Sequence, residues 1–261
     1  MKPIKTAKKN ISQGTALITG GSQRLGREMA ISLAEKKYNV IIHYNKSKKL
    51  ATELTNFLQE KYQIKTAIIG GDLNDPKSYK NIADFMNKNF KDWNILINNA
   101  SIFNKSKFIT HLGSELIDNM NIHLNAPIHL SHYFAKQIEK NNIKNANIIN
   151  MIDKNIARYE TIHFYYLMSK KFLAEFTKML ALELSPNIRV NGIAPGYVLP
   201  DIMPSKTQEI KYSQQLKKLI PLQHIGNPKN IIQALNFILE NDFLTGQILS
   251  IDGGASLNHV G

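Results

Sequence analysis

Short β-branched apolar runs alternate along this chain with longer stretches whose apolar residues return roughly every three to four positions. The short runs predict strands at Thr15–Thr19, Val40–His43, Lys65–Ile69, Ile95–Asn98, Ala146–Met151, Arg189–Ile193 and Gln247–Ile251. The longer stretches predict helices at about Leu25–Lys37, Lys48–Tyr62, Pro76–Phe90, Leu112–Asn141, Tyr166–Leu184 and Pro228–Glu240. Strand followed by helix followed by strand requires a crossover, so the strands are expected to pair in parallel through right-handed connections. Strands apolar at almost every position fit a sheet covered on both faces. The expected fold class is therefore α/β, a doubly wound parallel sheet with helices on both sides. One segment, Pro195–Pro221, breaks the rhythm with four prolines and a glycine, and a connection that long is expected to serve as a lid over a site.

Length and composition keep the picture to one domain. The 261 residues suit a single α/β unit spanning 1–261, with no internal repeat or long linker. Residues 1–12 are expected to form a flexible basic N-terminus. The first ten residues lack the apolar segment of a secretory signal, and no apolar run approaches the ~20 residues that span a bilayer. With no cysteine, disulfides, thiolate catalysis and cysteine-ligated metal are excluded. No metal and no membrane are expected, and the default location is cytoplasmic.

A net charge of +13 raises the question of nucleic acid. Of the 33 basic residues only Arg24, Arg27, Arg158 and Arg189 are arginine, and the lysines are spread along the whole chain. The charge reads as solvated surface rather than a phosphate-reading face, so no nucleic-acid partner is expected. The pairing of Arg24 with Arg27 in one loop carries more information.

That loop, Thr19-Gly20-Gly21-Ser22-Gln23-Arg24-Leu25-Gly26, leaves the first strand and opens the first helix. Glycines there let the backbone approach a pyrophosphate, whose charge rests at the helix N-terminus. A tight turn capped by Ser22 is the alternative. After the second strand the chain runs His43-Tyr44-Asn45-Lys46-Ser47, with no acid until Glu53. An acid at that point would repel a ribose 2′-phosphate, whereas Lys46, Ser47 and Arg24 could bind one, so NADP(H) is expected over NAD(H). Lys46 and Ser47 could instead begin and cap the next helix. Asp72-Leu73 follows the third strand, where the carboxylate could accept an adenine amino group or cap the helix at Pro76. Asn98-Asn99-Ala100-Ser101 ends the fourth strand, in the crevice where such sheets bind ligands, although Asn99 could simply hold a turn.

The most telling chemistry lies further on. Tyr166 and Lys170 stand four apart on one helical face, and Asp153 sits just past the fifth strand. A phenol titrates near pH ~10 in water, and a close ammonium is expected to pull Tyr166 toward neutrality. Asp153 adds a second proton carrier, with a helix cap as its bland alternative.

Thr-Gly-x-x-x-x-x-Gly, Asn-Asn-Ala-Ser, Tyr-x-x-x-Lys, Arg189-Val190-Asn191-Gly192, Pro195-Gly196 and Asp252-Gly253-Gly254 occur in this order. Over roughly residues 14 to 257 the chain thereby resembles the short-chain dehydrogenase/reductase family. The resemblance implies a Rossmann fold of seven parallel strands and hydride transfer with a nicotinamide cofactor. Two departures narrow it. Arg24 replaces the usual middle glycine, and Asp153 replaces the usual catalytic serine. Together with Phe103, two positions past Ser101, these are similar to the pteridine reductases and the bacterial dihydromonapterin/dihydrofolate reductases. The resemblance implies Phe103 stacking a pterin, Ser101 and Arg24 reaching pterin or cofactor phosphate, and Tyr44 to Ser47 lining the adenosine ribose. It also implies that Lys170 holds the nicotinamide ribose, that Asn125 supports Lys170 through a water, and that Pro195-Gly196 borders the cofactor. A homotetramer is implied as well. The expected activity is NADPH-dependent reduction of a dihydropterin or dihydrofolate at C=N, with protons carried by Tyr166 and Asp153. A carbonyl reductase, for instance of 3-oxoacyl thioesters, is the alternative.

Overall fold

The computed structural model describes residues 12–110, 113–198, 214 and 216–257. Seven strands form one parallel sheet: β1 (Thr15–Ile18), β2 (Asn39–Tyr44), β3 (Thr66–Gly70), β4 (Trp93–Asn98), β5 (Ala146–Met151), β6 (Ile188–Pro195) and β7 (Ile248–Ile251). Their order across the sheet is β3-β2-β1-β4-β5-β6-β7. The order reverses direction between β1 and β4, which opens the crevice where ligands bind in such sheets. The connecting helices are α1 (Arg24–Glu35), α2 (Lys48–Tyr62), α3 (Pro76–Asn89), α4 (Ser114–Met120), α5 (Ala126–Asn141), α6 (Phe164–Glu183) and α7 (Pro228–Glu240).

Period-two side-chain direction explains why the strands are apolar throughout. Ala16, Ile18, Val40, Ile42, Ile95, Ile97 and Ile149 point to the face covered by Met29 and Leu33 of α1, Leu58 of α2 and Leu235 of α7. Leu17, Ile41, Leu96, Ile148 and Val190 point to the other, under Ile82 and Met86 of α3 and Phe134 of α5. Trp93 opens β4 wholly buried, edge-on to Phe134 at 4.9 Å, with its indole N–H donated to the Ile95 carbonyl at 2.9 Å.

The helix expected over Leu112–Asn141 is interrupted. Between α4 and α5 lies a π-helical turn, Asn121–Asn125, and Leu112 lies outside the described residues. The physical reason is Pro127 in the first turn of α5. Proline has no N–H to donate, and its ring collides with the carbonyl four residues back in a regular helix. Widening the preceding turn by one residue relieves both problems. Of the segment expected as a lid, residues 199–213 and 215 lie outside the described residues, as do 1–11 of the basic N-terminus.

Candidate active site

The carboxyl ends of β1 to β4 enclose a cavity of about 550 Å³ against the start of α1. Every residue expected at the cofactor lines it except Lys170, Pro195 and Gly196. The loop that forms its floor is tied to the end of β4. Thr19 Oγ1 accepts the backbone N–H groups of Asn99 and Ala100, and the Asn99 amide donates to the carbonyls of Thr19 and Gly20 at 2.9 and 3.0 Å. Asn99 does therefore hold a turn, and that turn is the cavity floor. Gly26 is required by close approach, because a Cβ there would stand 2.6 Å from the Gly20 carbonyl oxygen and 2.8 Å from Asn99 Nδ2. Arg24 takes the left-handed region at φ 51°, a conformation that explains why glycine is common at this point of such loops.

The cap alternatives resolve from the same geometry. The Ser22 and Ser47 hydroxyls hydrogen-bond each other across the cavity wall at 2.7 Å, and neither caps its helix. Asp75, not Asp72, caps α3 by accepting the Lys77 N–H. Asp72 turns toward the cavity, and it is the sole acid among the described lining residues, beside the cations Arg24 and Lys46. Gly196 lies elsewhere, against the end of β7, where a Cβ would meet Asp252 Cα at 2.5 Å.

Beyond Ser101 the chemistry changes. Asp153 divides its carboxylate. Oδ1 accepts the Asn155 N–H at 2.7 Å and caps a short 3-10 helix, Lys154–Ala157, while Oδ2 accepts the Tyr166 hydroxyl at 2.8 Å. Asp153 thus caps this turn and at the same time accepts from the Tyr166 hydroxyl. Lys170 is buried and donates to the Met151 carbonyl at 2.7 Å, with Nζ 5.8 Å from the Tyr166 ring centre. Asn125 bonds Asn121 Oδ1 at 2.8 Å within the π-helical turn.

The expected lowering of the Tyr166 pKa is reversed. Burial pushes this phenol far above its ordinary value, and the neighbouring Asp153 carboxylate pushes in the same direction. Lys170 itself is lowered to about 8 by burial, partly offset by the Asp153 charge. Tyr166 is thereby kept protonated at neutral pH as a donor to Asp153. Phe103 is 58% exposed beside it, with His163 stacked on one face at 4.1 Å and the Tyr166 ring edge-on at 4.7 Å.

A family profile described as enoyl-(acyl carrier protein) reductase matches residues 21–256. A 3-oxoacyl-[acyl-carrier-protein] reductase of Buchnera aphidicola subsp. Baizongia pistaciae is 30% identical, covering 96% of this chain and 98% of that one. The chain belongs to the short-chain dehydrogenase/reductase family. A dihydromonapterin reductase of an Enterobacter species is 26% identical over 95% of this chain and 99% of its own. Among solved structures, the FolM alternative dihydrofolate reductase 1 of Brucella canis, complexed with NADP, superposes with a TM-score of 0.86. It is 26% identical, over 97% of this chain and 98% of that one.

Two histidines of this short-chain reductase were invisible as site residues. His43, one residue before the end of β2, is buried under the glycine loop. Its Nδ1 accepts the Gly20 N–H at 3.3 Å, so Nε2 carries the proton donated to the Gly71 carbonyl at 3.0 Å. His123, in the π-helical turn, meets Ser101, Ile102 and Ser169. The available signal for His123 was its spacing. Asn119, His123, Ala126 and Leu130 form one buried stripe, and a histidine there must find internal partners.

Proposed function

We propose that this protein is an NADPH-dependent reductase of a dihydropterin, acting on a C=N bond. The observation that carries the reading is the 2.8 Å hydrogen bond from Tyr166 to Asp153, beside the exposed ring of Phe103. The cavity supports NADP(H): Gly26 lets the start of α1 close against Gly20 and Asn99 to form the floor, the first turn of α1 has no acid, and Arg24, Lys46 and the Ser22–Ser47 hydroxyls suit a 2′-phosphate. NADPH, when bound, supplies the hydride. Phe103 offers a flat apolar surface for a bicyclic ring. Lys170, buried and held at the Met151 carbonyl, supports the nicotinamide ribose. As carbon gains hydride, nitrogen must gain a proton. The Tyr166–Asp153 pair delivers it, directly or through one water, and is reloaded from solvent. The NADP complex of the Brucella relative and the name of the Enterobacter relative favour this reading.

The test is NADPH oxidation with dihydromonapterin, dihydrobiopterin and dihydrofolate. Turnover with at least one is expected, and none above background at high enzyme concentration sinks the reading. A second reading, a 3-oxoacyl-thioester reductase, is favoured by the 30% identical Buchnera relative. It requires a hydroxyl to hold a ketone oxygen, and Asp153 stands in that place. Acetoacetyl-thioester reduction by the parent, or gained by Asp153→Ser, would support it. Phe172, Met179 and Leu182 on α6 are exposed apolar residues that a homotetramer would cover, which light scattering of the purified protein tests.

A further inference from the structure

We propose that His123 is a positioning residue, locked as the Nδ1–H tautomer, that fastens the Ser101–Phe103 turn to the catalytic helix α6. The backbone N–H of Ile102 points at His123 Nε2 at 3.2 Å. A backbone amide can only donate, so Nε2 carries no proton and Nδ1 does. Nδ1–H then donates to Ser169 Oγ at 3.0 Å, and the Ser169 hydroxyl donates onward to the Tyr166 carbonyl at 2.7 Å. The Ser101 oxygen lies 3.0 Å from Nε2 and 3.3 Å from the Ile102 carbonyl, so its single proton is shared between these two acceptors. From the Ile102 N–H the links run one way, through the imidazole and Ser169, into the backbone of the tyrosine itself.

Among the described residues the turn has no other polar tie to α6, although the Phe103 ring itself packs against His163 and Tyr166. Ser101 and Phe103 are exposed, whereas His123 is 1% exposed and packed edge-on to the Tyr166 ring at 5.2 Å. The imidazole adds a fixed polar link to the ring contacts that hold the Phe103 surface beside the Tyr166–Asp153 pair. The two titratable groups that face it, Lys170 and Tyr166, both belong to α6. Burial and the Lys170 charge both hold His123 far below its ordinary value, which keeps the accepting nitrogen bare. A protonated ring would turn an N–H toward the Ile102 N–H and break the turn from the helix.

Two substitutions separate the halves of this link. His123→Gln can still present an oxygen where Nε2 was, and His123→Asn can still present an N–H toward Ser169 while losing the acceptor. For dihydropterin, His123→Gln is expected to keep the parent KM within about twofold, and His123→Asn to raise it roughly tenfold. NADPH Kd is expected to stay within about twofold in His123→Gln and to weaken in His123→Asn, because Ser101 and Ile102 line the cofactor cavity. A purely structural histidine would lower Tm in both variants and leave their KM values alike, and that outcome overturns the proposal. This kinetic arm rests on the proposed reaction, so a second measurement does not. Nitrogen NMR of histidine-labelled parent protein, with His123 assigned by the His123→Gln difference, is expected to show Nδ1 protonated and no titration near pH 6.5. An Nε2–H signal, or titration at that ordinary value, overturns the proposal even if no dihydropterin is ever turned over.

Discussion

Replacing Asp153 with asparagine isolates the proton-carrying role of the carboxyl from its structural one. Asparagine keeps an oxygen for the Asn155 N–H, the 2.7 Å cap of the short 3-10 helix, so stability is expected to change by about 1 kcal/mol or less. On the other side its amide faces the Tyr166 hydroxyl with N–H instead of an accepting oxygen, and the shared proton site is gone. General acid–base catalysis by a positioned group is worth about 10²–10⁴-fold, or about 2.7–5.4 kcal/mol of barrier. Turnover of dihydropterin by Asp153→Asn is expected to fall within that range, with NADPH Kd unchanged by fluorescence titration. The opposing view is that Tyr166 alone is the acid. The Asp153 charge pushes the phenol pKa up, so its removal would then make Tyr166 more acidic and the variant at least as active. Stopped-flow single turnovers measure the chemical step directly. A rate within about twofold of the parent would refute the paired-proton reasoning.

Three further outcomes test other parts of the site. Tyr166→Phe is expected to lower turnover by roughly a hundredfold, measured by the same single-turnover assay, and an unchanged rate would reduce the phenol to packing. Lys46→Ala is expected to weaken NADPH roughly tenfold while leaving NADH within about twofold, measured by calorimetry, because only NADPH carries the 2′-phosphate. His43 is lowered by burial to about 4 from 6.5, so between those values the unfolded chain binds the extra proton. Stability attributable to His43 is then complete above pH 6.5 and is lost as pH falls toward 4, by up to roughly 3 kcal/mol. Urea unfolding of parent and His43→Gln from pH 7 to 4 is expected to converge at the acid end, and parallel curves would remove His43 from the account.

Fold and cofactor cavity were legible in the order of residues because both are consequences of local pattern. Alternating runs such as Leu96 between Ile95 and Ile97 fix which side of the sheet each residue faces once the sheet is covered twice. The Gly20–Gly26 turn, the unacidified end of β2 and the Tyr166–Lys170 spacing each lie within one element or one turn, so the chain carries them whole. The break at Asn121–Asn125 was written in Pro127 but masked by an otherwise continuous apolar period.

What only the tertiary structure decided are relations across many residues and the energies that burial creates. Spacing made Lys170 the natural modulator of Tyr166, yet solvent exclusion and a carboxylate thirteen positions away in the chain raise the phenol instead. A hydrophobic pattern reports which residues go inside and says nothing of the dielectric they meet there or of the charges that arrive from other elements. His43 and His123 make the same point: each is an ordinary histidine in the sequence, and each becomes a one-way hydrogen-bond link only after distant strands and helices close around it. Local periodicity determined where the chain would fold. The protonation states on which the site depends came from long-range packing, because no short stretch of residues contains both the group and its surroundings.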